Sequence, residues 1–410
     1  MKKLILSFLL VGTMSQLNAQ RIIAEHIIDD ISFLASDQLN GRGTSTPDEL
    51  IAAKYIAAKF EANHLKPAGN KGFYYDFNYK RAVKMHDTST AGLPTKRGRN
   101  VIGLLDNKAE YTIVIGAHYD HCGLGYDQNS LDPNPKGKIH NGADDNASGV
   151  AGVIELARYF STNGIREKYN ILFMTFSGEE LGLVGSKKWC EKPTIPLSTI
   201  NYMINMDMVG RLNDSTKKLL IYGIGTSSEW KASIEKNNDY FSVKYDSAGV
   251  GPSDQTSFYL KDIPVLHFFT GQHSDYHKPT DDLDKINAKG EARILELIID
   301  MVFDLETKGK LPFYKTKSPD TGTSTSFKVT MGVMPDYTFE GKGLRLDGVT
   351  DGKAASNAGL LQGDVIFRMD EMTIDTIQDY MKVLSQHKKG DRVEVWFRRK
   401  GVEMHESVNF

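Results

Sequence analysis

The chain has 410 residues, with 50 lysines and arginines against 52 aspartates and glutamates, and a formal net charge of −2. This near-neutral balance argues against a nucleic acid or an anionic membrane as partner, because both require a basic surface. Hydrophobic residues make up 40% of the chain, which excludes a disordered protein. The length favours more than one domain.

Residues 1–19 have the pattern of a cleaved signal peptide. Lys2 and Lys3 precede an apolar run at 4–12, and Ala19 stands before the expected cut. The run is too short to cross a bilayer, and no other apolar stretch in the sequence reaches that length. We therefore predict an exported protein, periplasmic or secreted, without a membrane span. The two cysteines, Cys122 and Cys190, leave a disulfide and simple burial as open alternatives. Cys122 lies four residues after His118, so a role as a metal ligand is also considered.

Hydrophobic spacing then predicts a series of alternating elements. Helices are expected near 22–39, 48–62, 150–160 and 291–306, and strands at 100–105, 111–117, 170–176, 202–206, 219–222 and 264–269. Such alternation indicates an α/β fold with three α/β/α layers and a mostly parallel, mixed central sheet. We assign residues 20–306 to this domain, 307–326 to a linker rich in Lys, Pro, Gly, Ser and Thr, and 327–410 to a small separate module.

Histidines and acidic residues recur where the apolar strands end. His118 and Asp120 follow the strand at 111–117, and acidic or histidine residues also follow three later strands, at Glu179, Glu180, Asp207 and His277. In open α/β sheets, ligands bind beyond the carboxyl ends of the strands. The pair Asp144–Asp145, just before a helix, adds carboxylates to the same space. Carboxylates mixed with imidazole suit a divalent metal, and zinc best.

Five residues emerge as metal ligands, and their number fits two zinc ions that share one carboxylate and one hydroxide. Glu179 and Glu180 are adjacent and point in different directions, so one of them can bind metal while the other stays free to move a proton as a general base. Asp120 is expected to accept the other ring N–H of a ligating histidine. The residues alone do not decide whether Asp144 or Asp145 is shared. The predicted ligands are His118, Asp145, Glu180, Asp207 and His277.

Roughly residues 30–306 resemble the co-catalytic two-zinc aminopeptidases, a family of secreted bacterial leucine aminopeptidases. Glutamate carboxypeptidase and glutaminyl cyclase are relatives of this family. The resemblance rests on five strings in this order: GAHYDH, GADDNASG, SGEELG, NMDMVG and DYHKPTD. The resemblance implies two Zn²⁺ ions, with His118 and Asp207 on one, Glu180 and His277 on the other, and Asp145 bridging. It also implies Glu179 as general base and Asp120 as the partner of His118. The chain departs from the family at Gln255, where a histidine is common.

The C-terminal module resembles a PDZ domain of the bacterial protease-associated kind. The resemblance rests on GVMPDY (332–337), GKGLRL (341–346), AASNAGLLQGDVIFRMD (354–370) and KKGDRVEVWFRRKG (388–401). It implies a groove that binds the C-terminus of a peptide or a partner protein by adding a strand. A spacer, or a lid packed on the enzyme, is the alternative.

The sequence therefore predicts an exported di-zinc exopeptidase, specifically an aminopeptidase that removes N-terminal residues from peptide substrates. The alternatives are a carboxypeptidase or glutaminyl cyclase on the same scaffold, or a non-catalytic binding protein that uses its PDZ module. Other nearby residues are expected to have ordinary structural roles. These are His121, His140, His267 and His273 as loop or core histidines, and Asp281 and Asp282 as caps of the following turn.

Overall fold

A computed structural model of the chain describes residues 21–80, 93–127, 129–316, 329–335, 339, 341–349, 352–375 and 377–410. The predicted signal peptide at 1–19 and the linker segment 317–326 lie outside these residues. Among the described helices, none is both long enough and apolar enough to cross a membrane.

The first domain is built on one nine-stranded sheet. Its strands are β1 (Lys66–Pro67), β2 (Tyr74–Tyr79), β3 (Lys96–Leu105), β4 (Tyr111–His118), β5 (Tyr169–Phe176), β6 (Ile200–Met206), β7 (Lys218–Tyr222), β8 (Ser242–Tyr245) and β9 (Val265–Phe269). Their order is β1-β3-β5-β4-β6-β9-β7-β8, and β2 pairs with β3. The central strands β5, β4, β6 and β9 run parallel, whereas β3 and β7 join them antiparallel.

Helices cover both faces of this sheet, which confirms the predicted three-layer fold. They are α1 (Ala24–Leu34), α2 (Pro47–Ala62), α3 (Gly149–Thr162), α4 (Val184–Glu191), α5 (Glu229–Asn237), α6 (Gln255–Tyr259) and α7 (Ala288–Leu305). Successive side chains of β4 alternate between the two layers: Ile113 and Ile115 pack in the core under α1, α2, α3 and α7, and Val114 packs in the core under α4 and α6. Burial on both faces explains why β4 and β5 are almost continuously apolar.

The C-terminal module has its own core and its own antiparallel sheet. The strands β10 (Val333–Pro335), β11 (Leu344–Val349), β12 (Val365–Met369), β13 (Met372–Thr373), β14 (Arg392–Arg399) and β15 (Val402–Asn409) are joined by α8 (Ala354–Asn357) and α9 (Ile377–Leu384). The order is β10-β11-β12-β14-β15, with β13 on β12. This architecture agrees with the predicted small β-rich domain.

The first half of the expected linker is not a free connection. Leu311 is buried in the core of the first domain and its N–H donates to the side chain of Asn201 at 2.7 Å. Further along, the N–H of Tyr314 donates to the carbonyl of Thr226. Residues 307–316, which we call the strap, therefore pack against the first domain. They are held by the buried Leu311 side chain and by hydrogen bonds to residues distant in sequence. Hydrophobic periodicity in the sequence does not predict such contacts. The predicted linker at 307–326 thus begins with residues that contact the first domain.

Candidate metal centre

The five predicted ligands come together at the carboxyl end of the parallel strands. His118 is the last residue of β4 and Asp207 directly follows β6, while Glu180 follows β5 and His277 follows β9. Because these four strands are parallel neighbours, their ends meet at one edge of the sheet. Asp145 reaches the same place from the turn at Ala143–Ser148 that precedes α3.

Distances divide the ligands into two groups that share Asp145. The Nε2 atom of His118 lies 3.3 Å from Oδ1 of Asp145 and 3.3 Å from Oδ1 of Asp207. The Nε2 atom of His277 lies 3.2 Å from Oδ2 of Asp145 and 3.1 Å from Oε2 of Glu180. Among the described residues, each group can gather its donor atoms within 4.8 Å of one another. Two groups of nitrogen and oxygen donors with one shared carboxylate fit a pair of zinc ions.

Hydrogen bonds direct Asp145, rather than Asp144, into the centre. Asp144 faces away: its Oδ1 accepts from the N–H of Gly210 at 2.7 Å and its Oδ2 lies 3.2 Å from Nε2 of His273. The carboxylate of Asp281 accepts from the backbone N–H groups of both Asp144 and Asp145 at 3.0 Å. The expectation that Asp281 caps the following turn is therefore wrong, because its Oδ2 holds the loop that carries Asp145.

The charges around the two neighbouring glutamates differ. Burial alone would raise the pKa of Glu180, but His277 and His121 lower it to about 2. Burial raises the pKa of Glu179 well above its usual range, and the carboxylates of Asp207 and Asp254 add to this rise against an opposing effect of His118. Asp254, which was not among the residues selected from the sequence, is fully buried, and burial raises its pKa to about 7. A bound dication would oppose these upward shifts.

The carboxylate of Asp120 lies closer to the backbone of Glu179 than to the ring of His118. Its Oδ1 accepts from the backbone N–H of Glu179 at 3.1 Å and its Oδ2 accepts from the hydroxyl of Thr44 at 2.6 Å. The Nδ1 atom of His118 lies 3.1 Å from the backbone carbonyl of Asp120 but 3.9 Å from its carboxylate. The ring of His118 is thus closer to the backbone carbonyl of Asp120 than to the carboxylate that was expected to accept its N–H.

Arg42 is a second residue that sequence reasoning missed. Its guanidinium is fully buried and donates to the carbonyls of Leu34, Tyr119, Asn141 and Gly142. Burial lowers its pKa to about 10, so it stays charged at neutral pH. Arg42 therefore joins the loop after His118 to the loop before Asp145. The glycines on either side of Arg42 indicated the end of the predicted helix. No local pattern indicated that the Arg42 side chain donates hydrogen bonds to four backbone carbonyls.

Two of the four histidines that were expected to have ordinary structural roles, His121 and His267, lie at the centre. Nδ1 of His121 is 2.8 Å from Oε1 of Glu180, and His267 lines the pocket beside the ligands. His140 is bonded to the hydroxyl of Ser130 at 2.6 Å. Cys122 and Cys190 are both buried and neither forms a disulfide.

A narrow pocket of about 70 Å³ opens onto the centre. Glu179 and four of the predicted ligands form one wall. The remaining wall is mostly apolar and aromatic, and consists of Met208, Tyr222, Pro252, His267, Phe269, Gln272 and Tyr276. Such a pocket can hold one side chain next to the donor groups.

Comparison with known proteins agrees with this geometry. Residues 100–302 match the family profile of Peptidase family M28, and residues 328–409 match that of the PDZ domain. Aminopeptidase YwaD of Bacillus subtilis is 26% identical over 231 residues, which is 52% of this chain and 46% of that protein. The alkaline phosphatase isozyme conversion protein of Escherichia coli is 31% identical over 147 residues, covering 36% of this chain and 40% of that protein. The chain thus spans less than half the length of either relative.

Solved structures share the fold of the first domain. The LapA aminopeptidase of Legionella pneumophila superimposes with a TM-score of 0.53 at 22% identity, over 75% of this chain and 80% of that one. The glutaminyl cyclase of Bacteroides thetaiotaomicron gives a TM-score of 0.56 at 18% identity, over 69% and 98%. On the profile matches, residues 100–302 of this chain belong to peptidase family M28, and residues 328–409 are a PDZ domain.

Proposed function

We propose that the chain is a zinc-dependent aminopeptidase that removes N-terminal residues from peptides. The observation that carries the proposal is the pair of donor groups sharing Asp145, next to Glu179 and a small, mostly apolar pocket. A pocket that holds one side chain beside the reacting bond suits removal of a terminal residue. Several of the similar proteins are aminopeptidases by name, which supports the same reaction class.

Each residue has a proposed role in this reaction. His118 and Asp207 would hold one zinc ion, Glu180 and His277 the other, and Asp145 both. When bound, the ions polarise the scissile carbonyl and lower the pKa of water. Glu179 takes the proton of the attacking water and passes it to the departing amine. Asp120 fixes the backbone of Glu179, since its carboxylate accepts that N–H.

A glutaminyl cyclase is the second candidate, because one of the similar structures carries that name. We expect a glutaminyl cyclase to work with one zinc ion. The complete second donor group therefore argues against a cyclase. A carboxypeptidase would instead need a positive group to hold the substrate's carboxylate. Among the residues that line the described pocket there is no lysine or arginine.

A panel of aminoacyl reporter peptides tests this proposal. We expect cleavage of substrates with a free N-terminus, no cleavage of matched N-acetylated substrates, and loss of activity with a chelator that added Zn²⁺ reverses. Cleavage of acetylated substrates from the carboxyl end would instead establish a carboxypeptidase. Cyclisation of N-terminal glutamine without hydrolysis would establish a cyclase.

We further propose that the protein is exported and that its PDZ domain binds a peptide C-terminus. The first part rests on the sequence of residues 1–19 and is checked by the mass of the mature protein in the periplasm or medium. The second rests on the match at 328–409. Binding of a random C-terminal peptide library to the full chain, with amidated peptides as control, tests it.

A further inference from the structure

We infer that His121 is a positioning residue that orients Glu180, so that the second of the two proposed zinc ions can bind. This inference rests on the proposed function, because it concerns the second ion of that site. His121 is none of the five predicted ligands, and it lies three residues after His118 in the loop that follows β4.

The two oxygens of Glu180 face different partners. Oε1 lies 2.8 Å from Nδ1 of His121, whereas Oε2 lies 3.1 Å from Nε2 of His277. The second oxygen is therefore the one turned toward the shared carboxylate of Asp145, whose Oδ2 is 3.2 Å from the same His277 nitrogen. A carboxylate fixed by a hydrogen bond at one oxygen presents the other in a single orientation.

The proton on the ring of His121 belongs on Nδ1. The ring is buried, and Nε2 has no hydrogen-bond partner among the described residues. If Nδ1 itself bound a cation, the proton of the neutral ring would sit on Nε2 and leave a buried N–H without an acceptor, which is unfavourable. With the proton on Nδ1, the ring donates to Glu180 and only a lone pair remains unpaired.

The surroundings hold the ring in this orientation. A Cβ atom at Gly142 would lie 2.5 Å from Cδ2 and 2.6 Å from Cγ of His121, so only glycine lets the backbone approach the ring so closely. The edge of the ring also packs on His277, with ring centres 5.6 Å apart. Both neighbours belong to the loops that carry Asp145 and the second donor group.

A different arrangement would use the same residue as a ligand. His121, Cys122 and Glu180 can bring one donor atom each within 4.8 Å, which would suit a separate cation. However, Sγ of Cys122 is 3.9 Å from Oε1 of Glu180, the oxygen that His121 already contacts. The two arrangements make different predictions for Cys122.

Zinc titration of the chelator-treated full chain distinguishes them. We compare the wild type with His121→Phe, which keeps the ring without its nitrogens, His121→Asn, whose amide can donate from the position of Nδ1, and Cys122→Ala. The readouts are calorimetric affinities and zinc bound per chain after dialysis, with circular dichroism as the check of folding.

We expect His121→Phe to bind the first zinc ion normally and the second about 10–100-fold more weakly, as is typical when a group behind a ligand is lost. His121→Asn should recover most of the lost affinity, and Cys122→Ala should bind both ions like the wild type. Should His121→Phe bind both ions normally, or His121→Asn be as weak as His121→Phe, the positioning role is wrong. An equal loss in Cys122→Ala would overturn it in favour of a ligand set. A wild type that binds no zinc would instead refute the proposed function itself.

Discussion

Glu179 and Glu180 are adjacent in the chain and lie in opposite electrostatic surroundings. Glu180 faces two imidazoles, which hold its pKa at about 2, so it is a carboxylate ready to bind a cation. Glu179 faces other carboxylates, and burial raises its pKa well above the usual range. Two groups whose environments drive their pKa values apart are suited to separate tasks, one as ligand and one as proton carrier.

Replacing Glu179 with glutamine tests this division of tasks. We expect Glu179→Gln to lower kcat about 10²–10⁴-fold, because the amide cannot accept the proton of the attacking water. Bound zinc should stay at the wild-type level, since Glu179 belongs to neither donor group. Steady-state kinetics and metal analysis measure the two quantities, with the exposed Glu61→Gln as control. A variant with near-normal turnover would remove Glu179 from the mechanism.

The N-terminus of helix α2 is bonded to the end of β5, the strand that precedes Glu179 and Glu180. Its N-cap is Thr46, whose hydroxyl accepts from the N–H of Glu49 at 3.2 Å. The Glu49 side chain is buried, accepts from the N–H of Ser45 and is bonded to the hydroxyl of Ser177 at the end of β5. Burial, with the nearby Asp120 carboxylate adding to it, raises the pKa of Glu49 to about 8. Burial thus favours the protonated form of this carboxyl group in the folded protein.

This raised pKa predicts how stability changes with pH. Because the pKa of Glu49 is about 8 when folded and 4.5 in an ordinary environment, its contribution to stability is complete below pH 4.5 and is lost as pH rises toward 8. Glutamine carries no charge in either state. Relative to the wild type, Glu49→Gln should therefore gain at least about 1 kcal/mol in free energy of unfolding between pH 5.5 and pH 8.5. Urea unfolding with chelator present measures this, and an equal difference at both pH values would contradict it.

The first domain as a whole extends beyond its last helix. Residues 307–316 return across the domain, and Phe313 packs on the core under α4 and α6. The strap also reaches Gly249, whose N–H donates to the hydroxyl of Thr316 at 3.0 Å. Gly249 is three residues from Pro252 in the pocket wall. The segment that leads toward the PDZ domain is thus fixed close to the proposed substrate pocket.

The strap makes a measurable contribution to the stability of the full chain. Leu311 is 3% exposed, and Leu311→Ala should cost about 2–5 kcal/mol because a buried leucine leaves a cavity. The control is Lys315→Ala, since that side chain is 78% exposed and its loss should change stability by less than about 0.5 kcal/mol. Chemical denaturation measures both. If the two variants were equally stable, residues 307–316 would be a linker as the sequence suggested.

Metal binding should also stabilise the whole domain, because the donor groups come from four strand ends and the α3 turn. Zinc at 100 times its dissociation constant should add ~2.7 kcal/mol per site to the free energy of unfolding. Thermal unfolding with zinc, with chelator and with magnesium measures this; magnesium should have little effect because it prefers oxygen ligands in octahedral geometry. If zinc stabilised a His118→Ala variant against thermal unfolding as much as it stabilises the wild type, zinc would bind elsewhere.

The sequence by itself determined the layered α/β fold and the separate C-terminal domain, because the spacing of hydrophobic residues indicates which face of each helix or strand is buried. It also located His118, Glu180, Asp207 and His277, since each follows an apolar strand whose end must lie at one edge of the sheet. The residues alone left Asp144 and Asp145 as alternatives, and the family resemblance implied Asp145. The physical reason is visible only in the tertiary structure, where Asp281 and Gly210, which are remote in the chain, hold the backbone of both residues and the carboxylate of Asp144.

The contacts of His121 and Arg42 and the packing of residues 307–316 were likewise decided by tertiary structure alone. The orientation of a loop side chain depends on contacts with residues distant in sequence. Local hydrophobic periodicity does not predict those contacts.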